Sequence, residues 1–297
     1  VFSFPVISIR YDILKYIKKG EKQDFGNDIL PFLYRKEDVY GYITSEYIKE
    51  INTKDRWEIV NKDYKSAKIY KKNCENLQKA IFLDRDGVVT IEKGFICDEK
   101  ELEIYDFTLE AIKLINQSDY LAIIISNQSA VGRGLCKIED IERVHKKLET
   151  ELGRKGAYFD GIYFCPHYPN VENGKQKNEF NIECDCRKPK PGLIFRASTE
   201  KNIDINQSYI IGDSERDIIA GKAAGLTTIG VFTGHSLKQS KVKPDYLFSD
   251  LLEATQFIIN DPFNNQFIKL LDFIKSLNKK PIIISIAGNS KSGKSNF

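Results

Sequence analysis

The chain has 297 residues, of which 41% are hydrophobic and 29% are charged, as is ordinary for a soluble globular protein of roughly two domains. Its 45 basic and 42 acidic residues leave a net charge of +3, which is too balanced to indicate a nucleic-acid or membrane surface. The sequence contains no run of about 18 apolar residues and no signal peptide, so we predict a cytoplasmic protein without membrane partners. Because it lacks methionine and begins and ends within recognisable patterns, we interpret it as a piece of a longer protein.

The first part of the chain, residues 1–66, is rich in Tyr, Ile and Lys and has few periodic apolar runs. Three segments, at 24–31, 40–43 and 50–57, resemble the C-terminal end of a sugar-1-phosphate nucleotidyltransferase. That family usually has Asp-Ile-Gly-Thr-Pro where this chain has Glu50-Ile-Asn-Thr-Lys54. The alternative interpretation is an irregular surface segment.

Apolar runs alternate with helical periodicity from residue 80 to about residue 260. This alternation predicts a doubly wound, Rossmann-like parallel sheet in the α/β class, with its ligand site beyond the carboxyl ends of the strands. The clearest predicted helix carries apolar residues three and four positions apart between Ile138 and Leu152. The predicted strands are Ile81–Leu83, Leu121–Ile125, Gly161–Phe164, Tyr209–Ile211, Thr227–Phe232 and Tyr246–Phe248.

Two aspartates, Asp84 and Asp86, follow the first predicted strand. Asp84 can attack phosphorus as a nucleophile, while Asp86 gives a proton to the leaving oxygen and later takes one from water. Gly87 then allows a tight turn. Taken alone, the segment fits a solvated Asp-Arg-Asp-Gly turn equally well.

Three later segments supply groups that such chemistry needs. Ser126 follows the second strand, where its hydroxyl and the backbone N–H groups after it can hold a phosphoryl oxygen. Lys188, beside Arg187, can neutralise phosphate charge, and Asp213 adds a carboxylate that favours Mg²⁺ beside phosphate. Each segment alone also fits a helix cap or a solvated loop, but their order along one alternating unit predicts a phosphate site.

Four soft or borderline metal ligands lie close together in the sequence: Cys165, His167, Cys184 and Cys186. Four ligands complete a tetrahedral Zn²⁺ site and leave no position for substrate, so we predict a structural zinc that holds the loop between them. The alternative is two reduced surface pairs. His145, on a helix, and His235, in a loop, are interpreted as structural or solvated.

These residues resemble the four motifs of the haloacid dehalogenase (HAD) superfamily of phosphohydrolases. The matching segments are Asp84-Arg-Asp86, Ser126, Lys188 and Gly212-Asp213-x-x-x-Asp217. More narrowly, the strings FLDRDGVV, ISNQSAVGRG, FCPHYP and CDCRKPKPG are similar to the branch of D-glycero-D-manno-heptose-1,7-bisphosphate 7-phosphatases and histidinol-phosphatases. The resemblance covers about residues 78 to 250 and implies a HAD-like fold without a large cap domain.

The resemblance also implies roles. Asp84 would form a phosphoaspartate and Asp86 would act as acid and base, while Ser126 and Lys188 steady the phosphoryl group. Mg²⁺ would be held by Asp84, the main-chain carbonyl of Asp86, and Asp213. The residues expected to contact substrate are Glu92, Phe95, Asn127, Gln128, Arg133, Arg187 and Ser214. Ser214 stands where the family often has lysine, and Glu92 where aspartate is common, so the exact sugar or alcohol stays open.

The C-terminal part contains a predicted strand, Ile282–Ala287, followed by the P-loop pattern G-x-x-x-x-G-K-S. Its glycines, Gly288 and Gly293, free backbone N–H groups to wrap phosphates, Lys294 would reach the β- and γ-phosphates, and Ser295 would bind Mg²⁺. The pattern resembles the start of a P-loop kinase, which would bind ATP only in a full-length parent with a complete kinase domain.

Together the patterns predict three parts: a nucleotidyltransferase-like remnant at 1–66, a HAD-like phosphatase domain at 67–262, and a truncated kinase-like start at 263–297. The predicted function is Mg²⁺-dependent hydrolysis of a small phosphorylated substrate, a sugar bisphosphate, within a multifunctional sugar-activating enzyme. Histidinol phosphate, and a polynucleotide 3′-phosphatase joined to a 5′-kinase, are alternatives, although balanced charge and the Cys/His quartet disfavour nucleic acid. A zinc-stabilised binding module without catalysis is the non-enzymatic alternative.

Overall fold

The structure is a computed structural model, and it describes residues 10–37, 46–49, 51–170, 178–235, 237 and 240–260. The chain divides into two compact units, residues 1–256 and 257–297, and the strands described below all belong to the first. The predicted P-loop residues and segment 40–43 lie outside the described residues, and the three-part organisation stays a prediction. Among the described residues, no helix is both long and apolar enough to cross a membrane.

A six-stranded sheet forms the centre of the first unit, and all its neighbouring strands pair in parallel. The spatial order β3-β2-β1-β4-β5-β6 places the first strand in the interior. The six strands predicted between residues 80 and 260 are confirmed, whereas the predicted strand Ile282–Ala287 lies outside the described residues. The four inner strands are almost fully buried, as expected for short apolar runs covered on both faces of a parallel sheet, and the two edge strands are more exposed. The strands are β1 (Lys79–Leu83), β2 (Tyr120–Asn127), β3 (Gly161–Cys165), β4 (Tyr209–Gly212), β5 (Thr227–Val231) and β6 (Tyr246–Phe248).

One α-helix lies between each pair of consecutive strands from β1 to β5, as expected for a sheet with crossover connections. The predicted helix after the second strand is confirmed, since Ile141, Val144, Leu148 and Leu152 are buried along one face of α5. The helices are α1 (Leu30–Leu33), α2 (Lys54–Lys65), α3 (Lys68–Lys71), α4 (Thr108–Gln117), α5 (Ile138–Arg154), α6 (Gly192–Lys201), α7 (Glu215–Ala224) and α8 (Leu251–Asn260). Short 3₁₀ segments lie at Tyr11–Tyr16, Glu99–Glu101 and Ile205–Gln207, and a π-helical turn at Phe25–Ile29.

One face of the sheet packs against α6 and forms the main core. Alternate residues of β1 and β2, including Phe82 and Ile123, are buried against Leu193, Ile194 and Ala197 of α6. The connection from β1 to α4 holds only short bridges and one 3₁₀ turn, so no large cap domain is inserted there. This arrangement leaves the carboxyl ends of the strands to the loops that follow them.

The described residues before β1 form a small satellite structure. Ile13, Ile29 and Leu33 make their own apolar cluster, while α2 buries none of its residues. Helix α3 joins this part to the sheet domain, because Lys68 Nζ donates hydrogen bonds to the carbonyl oxygens of the last turn of α4 and Lys71 pairs with Asp119. The likeness to a nucleotidyltransferase stays a prediction.

Candidate active site

Asp84 and Asp213 directly follow β1 and β4, whereas Ser126, predicted to follow the second strand, is the penultimate residue of the neighbouring strand β2. Leu83 at the end of β1 pairs with Ile124 of β2 and with Ile211 of β4. Because parallel strands end at the same edge, Asp84 and the loops after β2 and β4 meet at one place. The sheet therefore brings motifs that are far apart in the sequence together in one cluster of side chains.

Lys188 lies at the centre of this cluster and is almost fully buried. Its Nζ is 2.9 Å from Asp84 Oδ1 and 2.6 Å from Asp217 Oδ1, and it donates to the Ile125 carbonyl at 2.9 Å. Burial alone would lower the pKa of Lys188, but Asp217 and Asp84 raise it, so the ammonium stays charged. Burial opposes ionisation of Asp217 as well, yet Lys188 lowers the pKa of that carboxyl.

Three carboxylates lie close together at this site, and two of them, Asp84 and Asp217, contact the Lys188 ammonium. Asp84, Asp213 and Asp217 each offer an oxygen, and these oxygens lie within 4.8 Å of one another. Burial, followed by the charge of Asp217, raises the pKa of Asp84 well above its ordinary value and also raises the pKa of Asp213. Buried oxygen ligands with excess negative charge fit a hard divalent cation, which would relieve their repulsion.

Two glycines permit close packing around Asp213. Gly87 has a φ of +85°, and a Cβ at Gly87 or at Gly234 would collide with the Asp213 carboxylate. The backbone N–H of His235 donates to Asp213 Oδ2 at 2.5 Å, and His235 Nδ1 lies 3.0 Å from the same oxygen. The sequence predicted the turn at Gly87 but not the presence of His235 beside a site carboxylate.

Asp86 and Ser126 are joined by Gln128. The Gln128 side-chain amide donates to Asp86 Oδ2 at 2.9 Å and to Ser126 Oγ at 2.8 Å. Gln128 was predicted to contact substrate; the structure places its amide between two site residues. Arg85 binds Asp86 from the other side through two nitrogens.

Two further predicted substrate residues are bonded to their neighbours. Asn127 accepts from the Lys188 backbone N–H at 3.0 Å and donates to the Lys188 carbonyl at 2.9 Å, so it ties β2 to the lysine loop. Ser214 caps α7, and its Oγ lies 2.5 Å from Asp217 Oδ2. Both side chains therefore orient the Lys188–Asp217 pair. The sequence analysis expected them to contact substrate and did not predict this role.

Four basic and aromatic residues form a group called here the rim: Phe95, Arg133, Tyr168 and Arg187, the last of which directly precedes Lys188 in the chain. The Arg133 guanidinium stands 3.6 Å from the ring centre of Tyr168 and 5.2 Å from that of Phe95. Arg187 lies 5.8 Å from the Tyr168 ring and donates to the His167 carbonyl. Tyr168 was not among the predicted site residues, although its position next to Cys165-Pro-His167 in the sequence was an available signal.

Glu92 completes the predicted substrate set. Its Oε1 accepts from the Gly94 backbone N–H at 2.6 Å, and its Oε2 lies 3.9 Å from His235 Nδ1. Burial raises the pKa of Glu92. His235 Nδ1 thus lies near the carboxylates of both Glu92 and Asp213.

The four predicted zinc ligands converge on one point. Cys186 Sγ is 3.1 Å from Cys165 Sγ, 3.3 Å from Cys184 Sγ and 3.2 Å from His167 Nδ1. No pair of these cysteines forms a disulfide. The hydrogen bond from Cys165, with those from Cys184 and His167, lowers the pKa of Cys186 to about 5, which favours a thiolate. This cluster can hold a metal ion.

The parallel sheet and the acidic pair at the end of its central strand define a HAD-like hydrolase. In agreement, residues 185–254 match the family model described as HAD-hydrolase-like. The fold is similar to the crystal structure of a D,D-heptose 1,7-bisphosphate phosphatase from B. bronchiseptica complexed with magnesium and phosphate. That likeness has a TM-score of 0.55 and 30% identity, and covers 62% of this chain and 99% of the other.

Two curated relatives of this chain are phosphatases of one named activity. The D-glycero-β-D-manno-heptose-1,7-bisphosphate 7-phosphatase of Pasteurella multocida is 34% identical over 184 residues, which are 61% of this chain and 97% of the relative. The enzyme of the same name from Helicobacter pylori is 40% identical over 147 residues, 49% of this chain and 79% of the relative. The chain belongs to this family of HAD-like phosphatases.

Proposed function

We propose that the chain hydrolyses a phosphomonoester of a sugar bisphosphate, of the D-glycero-D-manno-heptose 1,7-bisphosphate type, through a phosphoaspartate. The observation that carries the proposal is the buried Lys188 ammonium, which contacts both Asp84 and Asp217 at the strand ends. The named activity of the relatives supports the choice of substrate. The activity would serve nucleotide-sugar biosynthesis in the cytoplasm.

In the first step, a carboxylate oxygen of Asp84 attacks phosphorus and the bond from phosphorus to the sugar oxygen breaks. Asp86 in its protonated form transfers that proton to the departing oxygen, so the sugar leaves as an alcohol. Lys188, which contacts Asp84 before the reaction, orients the nucleophile and offsets charge on the phosphoryl oxygens. The Ser126 hydroxyl steadies the same oxygens.

In the second step, water attacks the phosphorus of the phosphoaspartate, and Asp86, now ionised, takes a proton from it. The bond between phosphorus and Asp84 breaks, which releases inorganic phosphate and restores the Asp84 carboxylate. One carboxyl group, Asp86, therefore serves as acid and then as base. Asp217, which is bonded to Lys188 and Ser214, keeps the ammonium in place through both steps.

Mg²⁺ fits the acidic cluster and would supply charge neutralisation for the phosphoryl group. Asp84, the main-chain carbonyl of Asp86, and Asp213 would hold it, and Asp217 adds a carboxylate that the sequence left without a role. The magnesium and phosphate in the B. bronchiseptica phosphatase support this choice of ion.

The rim would bind the part of the substrate that does not react. Arg133 and Arg187 present two guanidinium groups around Tyr168, and planar guanidinium groups match phosphate oxygens. Phe95, half exposed beside Arg133, offers an apolar surface to the sugar carbons. A second phosphate is thus the natural ligand of this rim.

We propose zinc as the ion of the Cys/His cluster. Three sulfurs and one imidazole nitrogen are a preferred tetrahedral donor set for Zn²⁺. All four positions are filled by protein, so the ion would have a structural role, joining the end of β3 to the Lys188 loop.

A phosphate-release assay with Mg²⁺ tests the assignment. The substrates are D-glycero-D-manno-heptose 1,7-bisphosphate, histidinol phosphate and 3′-phosphorylated DNA. We expect kcat/KM to be at least about 100-fold higher for the bisphosphate, because only this substrate carries a second phosphomonoester group on the same small sugar, within reach of the rim. A preference for histidinol phosphate or DNA would overturn the substrate assignment.

The rim is tested by Arg133→Gln. We expect a KM increase of about tenfold or more for the bisphosphate and a smaller one for a sugar monophosphate, because the lost guanidinium would contact the second phosphate. Arg196→Gln, an exposed arginine of α6 that pairs with Glu200, is the matched control. Equal KM changes for both substrates would remove Arg133 from the proposed phosphate site.

A further inference from the structure

Arg85 lies between Asp84 and Asp86 in the sequence, and its side chain is fully buried. Its Nε donates to Asp86 Oδ1 at 2.9 Å and its Nη2 donates to Asp86 Oδ2 at 2.8 Å. Nη2 also donates to the side-chain oxygen of Gln128 at 3.0 Å, and Nη1 lies 3.1 Å from His145 Nε2. The guanidinium thus links the proton-transfer carboxylate to a histidine that belongs to helix α5.

The contact with Arg85 defines the state of His145. A guanidinium has donors only, so His145 Nε2 must accept the hydrogen bond and the imidazole must be neutral. Burial, followed by the charge of Arg85, lowers the pKa of His145 to about 3, in agreement with a neutral ring. The ring also packs edge-to-face on Phe164 of β3, with centroids 5.1 Å apart. His145 is therefore a fixed acceptor.

The carboxylate of Asp86 is constrained on both oxygens. Oδ1 faces Arg85 Nε and the Thr90 hydroxyl, and Oδ2 faces Arg85 Nη2 and the Gln128 amide. A bidentate guanidinium sets the plane of a carboxylate as well as its distance. These four donors fill both oxygens of the ionised carboxylate, so a protonated Asp86 must release one of them. The orientation of Arg85 then determines the plane in which the released oxygen presents its proton.

We propose that His145 and Arg85 are a positioning pair for proton transfer: His145 holds the guanidinium, and the guanidinium aims Asp86 at the leaving-group oxygen. The inference rests on the proposed function, because it assigns Asp86 the transfer of a proton to the leaving group. It adds a helix residue, 60 positions away in sequence from Arg85, to the set on which catalysis depends. Neither residue touches the reacting atoms in this role.

The dependence of rate on the leaving group distinguishes positioning from a purely structural role. p-Nitrophenolate departs without a proton, whereas phenolate and alkoxide ions need one, so only phenyl and alkyl phosphates need an aimed Asp86. The quantity to measure is kcat/KM, which covers the steps up to departure of the leaving group and not the later hydrolysis of phosphoaspartate.

The first variant is His145→Leu, which removes the acceptor. We expect kcat/KM to fall about 30-fold for phenyl and alkyl phosphates and by no more than about threefold for p-nitrophenyl phosphate. His145→Gln, whose amide oxygen can accept from Arg85, should restore kcat/KM for phenyl phosphate to within about threefold of the parent. An equal loss on all substrates, or a glutamine that does not restore the rate, would overturn the proposal.

A second variant keeps the test decisive if His145→Leu does not fold. Arg85→Lys retains the charge but loses the fork, so it should show the same selective loss on poor leaving groups. Leu148→Ala, a buried α5 residue without polar contacts to the site, is the matched control for weakened packing and should leave the leaving-group dependence unchanged. A parent enzyme that releases no phosphate from D-glycero-D-manno-heptose 1,7-bisphosphate would refute the proposed function itself, before any variant is compared.

Discussion

Two clusters of four charged or metal-binding side chains lie near the carboxyl ends of the strands, and they differ in chemistry. The acidic cluster joins Asp84, Asp213 and Asp217 to the Lys188 ammonium, so it has excess negative charge and hard oxygen donors. The Cys/His cluster has soft or borderline donors, all from protein, and five of their six pairs lie 3.1 to 3.6 Å apart. The acidic cluster can bind a cation together with a substrate. In the Cys/His cluster, protein donors supply all four ligands of a tetrahedral ion, so no position is left for a substrate.

The difference shows how one sheet edge separates catalysis from support. The acidic residues directly follow strands or lie in the first turn of a helix. Their negative charges repel one another, and a bound cation would relieve this repulsion. The cysteines lie at the end of β3 and in the loop that carries Lys188, so a metal bound there would stabilise that loop. Perturbing the two clusters should therefore have opposite consequences for activity and stability.

The largest expected effect is that of Asp84→Asn in the acidic cluster. We expect phosphate release to fall about a thousandfold or more, because an amide cannot form the phosphoenzyme. Thermal stability of the metal-free protein should rise, because the neutral amide removes a buried carboxylate whose pKa is raised by burial and by Asp217. Asp119→Asn, at a surface carboxylate paired with Lys71, is the control for activity. Undiminished turnover in Asp84→Asn would refute the catalytic role of the acidic cluster.

Omission of Mg²⁺ should have the next largest effect. After exhaustive removal of Mg²⁺, we expect phosphate release to fall by about a hundredfold or more and to return on its re-addition, because the cation would neutralise phosphoryl charge. Far-UV circular dichroism should stay unchanged, since the fold does not depend on the acidic site. Full activity without divalent cations would contradict the assignment of the acidic cluster.

Cys186→Ser tests the other cluster. We expect loss of about one zinc equivalent per chain by elemental analysis and a decrease of about 5 to 10 °C in Tm, because the ion links two loops. Activity should fall less than in Asp84→Asn when both are compared at a temperature where they are folded. Cys74→Ser, outside the cluster, should retain the metal. A metal-free parent chain that is well folded would show that this cluster does not need an ion.

The smallest expected effect concerns pH. The pKa of His145 is lowered to about 3 by burial and by Arg85, whereas an unfolded histidine titrates near 6.5. The unfolded chain therefore binds more protons than the folded chain between these values, so this residue reduces stability as pH falls from about 6.5 towards 3. His145→Gln should weaken the decrease of Tm between pH 6.5 and pH 4. Parallel Tm curves for parent and variant would show that His145 is not held neutral.

Much of the fold was predictable because its signals are local. Each strand of three to eight residues contains a short apolar run, and α5 repeats apolar residues with helical spacing. The acidic pair and the four soft ligands were recognisable because their chemistry depends on residue type and short spacing. The functions of Asn127, Gln128 and Ser214 were not predictable in the same way, because a polar side chain near a phosphate motif can bind substrate or a neighbouring residue equally well.

The sequence by itself determined the order of the strands along the chain, the residues that end them and the two sets of metal-binding side chains. Only the tertiary structure decided that Lys188 lies between Asp84 and Asp217, that His235 contacts Asp213, and that His145 reaches Arg85. The physical reason is that strand and helix formation depends on neighbours along the chain. The contacts of a buried ammonium or guanidinium depend instead on which crossover loops and helices pack over the end of the sheet.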